Sequence, residues 1–233
     1  MGDLSIGILK QQHKQRKAHI QARLSQFKQF FSKPLRWTYS GNEMRLVPSE
    51  ASTHDRFFEE MCFCIFAANT SAEMGMKTID HVRPLLHRAE PEEMTAKLRG
   101  IYRFINLRPQ YIAHTREYLK LLETPLNELV VSFADPNDLR DFLANNTGIR
   151  GLGYKEASHF LRNLGFEGFA ILDKHIINSM HELGIIATPK APTTGAQYLS
   201  IEENYLELAH DSGIDPDELD LLLWSNKTGK ILK

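Results

Sequence analysis

Residues 146–180 read NTGIRGLGYKEASHFLRNLGFEGFAILDKHIINSM. The glycines at 148, 151 and 153 predict a tight turn whose backbone takes a positive φ or lies very close to another group. Apolar residues recur at helical spacing on both sides of this turn. They are Leu139, Phe142, Leu143, Ala157, Phe160, Leu161 and Leu164. The pattern predicts a helix, a hairpin and a second helix that Gly165 ends.

The start of the second helix is suited to binding an anion. Its first backbone N–H groups have no partner within the helix, and the helix dipole adds to the attraction. A DNA phosphate therefore fits there, with Gly151 and Gly153 giving it close access to the backbone. Such a contact touches no base edge and is independent of sequence. The glycine pattern alone is equally compatible with an ordinary helix–loop–helix that has glycine caps.

Two further residues bring chemistry to this stretch. Lys155 places an amine in the first turn of the second helix, and Asp173 places a carboxylate before the next apolar run. Each residue alone is also compatible with a structural role, because Asp is a common helix N-cap and Lys is common on surfaces. Together, beside a phosphate-binding hairpin, the amine and the carboxylate indicate chemistry at a sugar carbon of DNA.

The segments GLGYKEASHFLRN (151–163) and AILDKH (170–175) resemble the helix–hairpin–helix (HhH-GPD) DNA glycosylase superfamily. They are very similar to its compact archaeal and thermophilic-type 8-oxoguanine DNA glycosylase/AP lyases. The resemblance continues in FCIFAANTSAEMG (63–75) and in the last ten residues, and is weak before about residue 55. One departure lies in the loop after the hairpin motif, which carries Gly165 and Gly168 but no proline.

The resemblance implies an all-α, two-lobed helical fold with the active site between the lobes. The glycosylase domain would span 56–233, after an N-terminal basic helix and irregular link at 1–55. The domain would comprise a helical lobe (56–165, with the hairpin motif at 137–164) and a second lobe (166–233) packed with the N-terminal helix.

The resemblance also implies a base-excision repair enzyme, a bifunctional DNA N-glycosylase and abasic-site lyase. Lys155 would form a Schiff base with the sugar of a flipped nucleotide, and Asp173 would stabilise the transition state. Two groups of residues would contact the substrate. Those for DNA are Gly151, Gly153, Asn69, Ser71, Phe104 and Arg108, and those for the damaged base are Trp224 and Lys233.

Several of these assignments have a structural alternative. Ser71 has an alternative role as a helix cap, Phe104 as a core aromatic, and the C-terminal segment as a surface tail beside a core tryptophan. Two functional alternatives also remain. The same scaffold could act on another damaged base, or the hairpin could belong to a DNA-binding module without catalysis, which would need neither Lys155 nor Asp173.

Composition sets the broad class. A chain of 233 residues suits one large domain or two small lobes. It has no apolar run of membrane-spanning length and no signal-peptide pattern, so we expect no membrane partner. The resemblance implies a monomer in the prokaryotic cytoplasm, at the nucleoid when acting on double-stranded DNA. Cys62 and Cys64 predict buried thiols and are too few for an iron–sulfur cluster. We expect no metal and no cofactor.

Charge is unevenly distributed although the net charge is only −1. Residues 1–36 hold eight Lys or Arg against Asp3 alone, and residues 201–220 hold eight Asp or Glu and no Lys or Arg. This favours a polarised molecule with one face toward DNA and the other in solvent. The N-terminal run is equally compatible with a solvated helix face. The segment 35–55 predicts a small hairpin, through Gly41 and Asn42, or an irregular link.

Overall fold

The computed structural model describes residues 4–233, so that Asp3, counted in the N-terminal charge, lies outside the described residues. Within this range the fold is helical apart from one two-stranded hairpin, and the expected all-α class is confirmed to that extent. In chain order the elements are α1 (Ile6–Ser32), β1 (Leu35–Ser40), β2 (Glu43–Pro48), α2 (Thr53–Ala67), α3 (Ala72–Val82), α4 (Pro91–Leu98), α5 (Leu107–Leu121), α6 (Leu126–Ser132), α7 (Pro136–Asn145), α8 (Tyr154–Asn163), α9 (Lys174–Glu182), α10 (Gly195–Ser212) and α11 (Pro216–Thr228). None of these helices has both the length and the apolar character needed to cross a membrane.

The described chain divides into two compact units. The central unit is Gln29–Leu164, and it contains the hairpin motif with Lys155. The terminal unit joins the N-terminal segment, up to Lys28, with Gly165–Lys233, and it contains Asp173 and Trp224.

Helix α2 is the core of the central unit. Ser52 caps its start, because the Ser52 hydroxyl accepts the Asp55 N–H at 3.1 Å. From position 56 to its last residue every side chain of α2 is buried, and the helix packs against α3, α5, α6 and α8. Cys62 and Cys64 are free and buried, as expected, and burial raises the pKa of the Cys62 thiol.

A buried polar contact fixes α8 against this core. The Asn163 side-chain amide, at the end of α8, donates to the Glu60 carboxylate of α2 at 2.7 Å. Asn163 is fully buried and Glu60 is 3% exposed. Because a buried polar group that loses its partner costs about 1–3 kcal/mol, the pairing specifies how α8 sits on α2.

The segment left open between a hairpin and an irregular link is a hairpin. Strands β1 and β2 pair antiparallel, with Trp37 opposite Leu46. Gly41 and Asn42 join them at φ values of +59° and +63°, the conformation of a two-residue type I′ turn. The predicted irregular link is therefore wrong for residues 35–48, because the turn chemistry of Gly41 and Asn42 closes the strands on each other.

The composition of the acidic segment 201–220 predicts a solvent-exposed face, but the segment is partly buried. Four of its eight acidic side chains are at most 8% exposed. They are Glu202, Asp217, Glu218 and Asp220. Glu218 shows why: it accepts hydrogen bonds from His13 at 2.5 Å and from Gln21 at 2.8 Å, both on α1. These carboxylates are internal acceptors of the terminal unit, and a count of charges along the chain does not reveal that role.

The contact between α2 and α6 predicts a dependence of stability on pH. The His54 Nδ1 accepts the backbone N–H of Leu126 at 3.0 Å, which requires that nitrogen to be unprotonated. Burial lowers the pKa of His54 below its ordinary 6.5, Asp55 raises it and His87 lowers it further. A group whose folded pKa is depressed contributes stability above its unfolded pKa and loses that contribution as the pH falls.

We therefore expect the wild type to lose more unfolding free energy than His54→Asn between about pH 7 and pH 5. The asparagine offers an uncharged oxygen to the Leu126 N–H. Urea unfolding at several pH values measures the difference, with His210→Asn as control because that histidine side chain is 90% exposed. Parallel pH dependences of wild type and His54→Asn would contradict the assignment.

Candidate active-site residues

The hairpin 146–153 is fixed by α5, on which it rests. The Thr115 hydroxyl, fully buried on α5, accepts the Arg150 N–H at 2.9 Å and donates to the Arg150 carbonyl at 3.4 Å. Asn146 closes the turn, since its side-chain oxygen accepts the Gly148 N–H at 2.8 Å. The hairpin is thus held by the neighbouring helix as well as by its own turn.

Two of the three glycines are required by the fold. A Cβ at Gly148 would lie 2.2 Å from the Tyr118 ring, which leaves no room for any side chain. Gly151 has a φ of +87°, and a Cβ there would lie 2.8 Å from Tyr111. The prediction of close approach is confirmed at Gly148, and the prediction of positive φ is confirmed at Gly151.

Gly153 differs from the other two. Its φ is −96° and its ψ is −170°, an extended conformation open to any residue. A Cβ there would meet only the Glu156 carboxylate, at 3.6 Å. Gly153 is the N-cap of α8 and provides no side-chain cap, and the Ala157 N–H donates to its carbonyl at 2.8 Å. The local fold therefore does not require glycine at 153, and the start of α8 has no side-chain cap.

Lys155 lies in the first turn of α8 with a side chain that is 24% exposed. Its amine contacts the Glu156 carboxylate at 3.4 Å. The sequence argument did not include Glu156, although an acidic residue in the first turn of a helix is a visible signal. The amine is thus half-buried, accessible and beside one carboxylate.

Asp173 is the N-cap of α9, and that alternative is confirmed. Its Oδ1 accepts the His175 N–H at 2.7 Å and the Ile176 N–H at 2.9 Å. Both capping bonds use the same oxygen, and no hydrogen bond to Oδ2 is described among residues 4–233. The cap therefore fixes the carboxylate and leaves one oxygen for another interaction.

The loop between α2 and α3 presents Asn69. Asn69 is exposed at a φ of +59°, and the Ser71 hydroxyl accepts the Met74 N–H at 3.1 Å. The capping alternative for Ser71 is confirmed.

Arg108 holds the same loop from inside. Only 7% of Arg108 is exposed, and its guanidinium donates to the Ala68 carbonyl at 3.3 Å. It also lies over the Phe104 ring, 5.3 Å from the centroid, and Arg103 lies 4.3 Å from that centroid. Phe104 is half-buried between two cations. The structure therefore brings Phe104 and Arg108 to the loop of Asn69, a proximity that the sequence did not predict.

Trp224 lies beside the start of α9 within the terminal unit. The Trp224 and His175 rings meet edge to face, with centroids 6.2 Å apart. His175 follows Asp173 by two residues, so the tryptophan is placed near the capping carboxylate. His175 was not identified from the sequence, because only the packing of α9 on α11 makes this contact.

The C-terminal segment is anchored as predicted. Leu232 is 6% exposed and Lys233 is 4% exposed. The Arg23 guanidinium of α1 donates to the Ile231 carbonyl at 3.3 Å. The tail is therefore packed in the terminal unit, and the surface-tail alternative is wrong.

Comparisons with known proteins agree with the family resemblance of residues 151–163 and 170–175. Residues 42–214 match the family model described as 8-oxoguanine DNA glycosylase. A Korarchaeum cryptofilum protein named 8-oxoguanine DNA glycosylase/AP lyase is 37% identical over 191 residues, covering 82% of this chain and 88% of the relative. A Thermoplasma volcanium protein of the same name is 41% identical over 181 residues, covering 77% of this chain and 83% of the relative.

Solved structures extend the similarity to nearly the whole chain. The crystal structure of Methanocaldococcus jannaschii 8-oxoguanine glycosylase/lyase, in complex with a 15mer DNA containing 8-oxoguanine, matches with a TM-score of 0.79 at 30% identity. The match covers 97% of this chain and 100% of that chain.

The open start of α8 predicts an effect of Gly153→Ser. Serine is a good N-cap, and its hydroxyl would accept an N–H of the first turn, so thermal stability should hold or rise slightly. The same hydroxyl would occupy the place of a phosphate, so DNA affinity should fall roughly tenfold. Thermal unfolding and fluorescence anisotropy with duplex DNA measure both. Gly148→Ala is the contrast, because it should destabilise the fold, and unchanged affinity in Gly153→Ser would exclude the start of α8 as a phosphate site.

Proposed function

Because the chain belongs to the 8-oxoguanine DNA glycosylase family, we propose that it excises 8-oxoguanine from duplex DNA and cleaves the abasic strand through a Schiff base on Lys155. The observation that carries the proposal is the position of Lys155 in the first turn of α8, directly after a hairpin that leaves this helix start without a side-chain cap. A phosphate bound there places the sugar of a neighbouring nucleotide within reach of the amine.

The chemistry begins with extrusion of the damaged nucleotide from the stack, because its C1′ is inaccessible within the duplex. The uncharged Lys155 amine attacks C1′, a C–N bond forms, and the glycosidic bond breaks with its electron pair leaving on the base, which takes up a proton. Opening of the sugar ring gives the Schiff base. Loss of a C2′ proton then breaks the C3′–O bond and releases the 3′ phosphate as the leaving group.

Asp173 supports the first of these steps. Positive charge develops on the sugar as the base departs, and a carboxylate held in place stabilises that charge without reorganising. Its Oδ1 is engaged in the cap of α9, so Oδ2 is the oxygen that would face the sugar. The cap thus orients the catalytic group.

The remaining contacts follow from the placement of each residue. Gly153 and Gly151 would admit a phosphate to the hairpin, with Gly151 also needed for the fold. Asn69 would fill the gap left by the extruded base, and Ser71 would fix its loop through the α3 cap. Phe104 would stack near the orphaned base. Arg108, which lies over the Phe104 ring and donates to the Ala68 carbonyl, would bind DNA beside it.

Base recognition falls to Trp224 and Lys233. An indole plane would stack on the flipped base, which contributes about 1–3 kcal/mol per base. The Lys233 ammonium would suit O8 or O6 of 8-oxoguanine. We propose that the substrate is double-stranded DNA carrying 8-oxoguanine or an abasic site. We also propose that the protein acts as a monomer in the prokaryotic cytoplasm.

Borohydride trapping tests the role of Lys155. With a duplex carrying one 8-oxoguanine, wild type should form a covalent adduct, because borohydride reduces the Schiff base to a stable amine. Lys155→Gln should form none and should release no base, while its DNA affinity stays within about threefold of wild type. Lys174→Gln is the matched control, since it removes an exposed amine beside Asp173. An adduct with Lys155→Gln would show that another amine is the nucleophile.

Asp173→Asn separates catalysis from capping. Asparagine caps a helix as well as aspartate does, so α9 and thermal stability should be retained. Excision should slow about 10²- to 10³-fold, as expected when a group that stabilises transition-state charge is lost. The matched control is Asp215→Asn at the start of α11, where Asp215 accepts the Asp217 N–H at 3.0 Å in the same capping pattern. Single-turnover excision assays should find the control normal, and a normal rate for Asp173→Asn would leave only the structural role.

Lys233→Met tests recognition of the base. The substitution keeps most of the buried volume and removes the ammonium, so excision of 8-oxoguanine should weaken. Cleavage at a preformed abasic site should barely change, because no base needs recognition there. Lys230→Met, at an exposed position of the same segment, is the control. Equal losses on the two substrates would indicate damaged folding, and no loss on either would exclude the Lys233 ammonium from the base contact.

A further inference from the structure

We infer that Glu202 is a positioning residue for Asp173, acting with Asp217 and Tyr198 through the backbone of the segment 165–172, here called the Asp173 loop. The inference rests on the proposed catalytic role of Asp173. It concerns how the carboxylate is held in the terminal unit, and Glu202 itself touches no reacting atom.

Three side chains bind alternate backbone N–H groups of this loop. Asp217 of α11 accepts the Gly168 N–H at 3.0 Å, and Glu202 of α10 accepts the Ala170 N–H at 3.0 Å. The hydroxyl of Tyr198, also on α10, accepts the Leu172 N–H at 3.4 Å and donates to the Ala170 carbonyl. The spacing of two residues is that of an extended strand, so side chains bind this loop edge as a partner strand would.

All three acceptors are buried, as are Ala170 and Leu172, whereas Gly168 is exposed. Glu202 is 6% exposed, Asp217 and Tyr198 are each 3% exposed, and Ala170 is fully buried. A hydrogen bond between a backbone N–H and a carboxylate is stronger than a neutral one, and a buried N–H left without an acceptor is costly. The loop backbone therefore has one strongly preferred position.

The fixed loop leads directly into the catalytic carboxylate. The Asp173 N–H donates to the Ile171 carbonyl at 2.6 Å. The preceding residue, Leu172, is the one whose N–H is bound by Tyr198. On its other side, Asp173 is bound through Oδ1 to the first turn of α9. Because only three residues separate Ala170 from Asp173, we expect a displacement of Ala170 to reach Asp173.

The same contacts explain how the loop is ordered without the proline that the resemblance leads one to expect. Gly165, at a φ of +86°, has the Lys28 backbone 3.2 Å from where a Cβ would lie, which sets the start of the loop. Gly168, at a φ of +88°, has open space at its Cβ position, and its N–H is the group that Asp217 binds. Buried acids from α10 and α11 supply the constraint.

Glu202 is the residue to change, because its bond is the central one of the three. Glu202→Leu removes the acceptor for Ala170, whereas Glu202→Gln keeps an oxygen at the same place. Glu203→Leu is the matched control, since Glu203 is the next residue of α10 and is exposed. Single-turnover excision of 8-oxoguanine at saturating enzyme, DNA affinity and thermal unfolding are measured for each.

We expect Glu202→Leu to slow excision about ten- to hundredfold, the effect of displacing a catalytic group by up to about 1 Å. DNA affinity should stay within about twofold, because the proposed phosphate contacts are elsewhere. Glu202→Gln should recover most of the rate, and Glu203→Leu should match wild type.

A double-mutant cycle with Asp173→Asn separates positioning from general damage. If Glu202 acts through Asp173, the double variant should be about as slow as Asp173→Asn alone, since the group to be positioned is already gone. Losses that multiply, or a normal rate for Glu202→Leu while Asp173→Asn is slow, would overturn the inference. A normal rate for Asp173→Asn would instead overturn the proposed role of Asp173. If Glu202→Leu does not fold, Tyr198→Phe enters the same cycle with the same expectations.

Discussion

The bonds between the Thr115 hydroxyl and the Arg150 backbone are the constraint on which the position of the hairpin 146–153, and with it Lys155, depends. They fix the hairpin to α5, and the hairpin in turn sets where α8 begins. At its other end α8 is fixed by the buried contact of Asn163 with Glu60. With both ends held, the first turn of α8 can stay without a side-chain cap, because the helix does not rely on that cap for its position. The proposed phosphate site and the accessible Lys155 therefore lie on a rigid support.

In the terminal unit, a different set of groups fixes the backbone before a functional side chain. Its key carboxylate, Asp173, sits at the end of an extended loop, where a chain would ordinarily be mobile. Buried acceptors from α10 bind that loop, and the first turn of α9 binds the carboxylate itself. In both units a side chain with a proposed catalytic role lies at a helix N-terminus, and in both the preceding backbone is fixed by side chains of another helix. This is the preorganisation that a developing charge on a sugar requires.

Much of the fold was predictable because it depends on local signals. The glycines at 148 and 151 and the apolar spacing beside them predicted the hairpin and α8 directly. A similar local signal is present at α11, where Asp215 caps a helix that begins with Pro216. The sequence did not decide between a β-hairpin and an irregular link for residues 35–48, since Gly41 and Asn42 give only a short turn signal. The predicted exposure of the acidic segment 201–220 was wrong in part. A run of charges favours exposure, but Glu202 and Glu218 are buried hydrogen-bond acceptors. Glu202 had no local signal, as its partner Ala170 lies 32 positions away.

In the candidate site, too, some residues could be predicted from local sequence signals and others could not. Lys155 and Asp173 could be proposed as catalytic residues from the sequence, because each combines a motif resemblance with a helix start. The burial of Arg108 and the contact of Trp224 with His175 could not, since both arise from packing between distant segments. The central claim, that Lys155 is the nucleophile, is tested most directly by mass spectrometry of the borohydride-trapped wild-type protein after trypsin digestion. We predict that the sugar remnant is on Lys155, in the peptide of residues 151–162. A remnant on Lys174, Lys28 or any other amine, with Lys155 unmodified, would contradict the account.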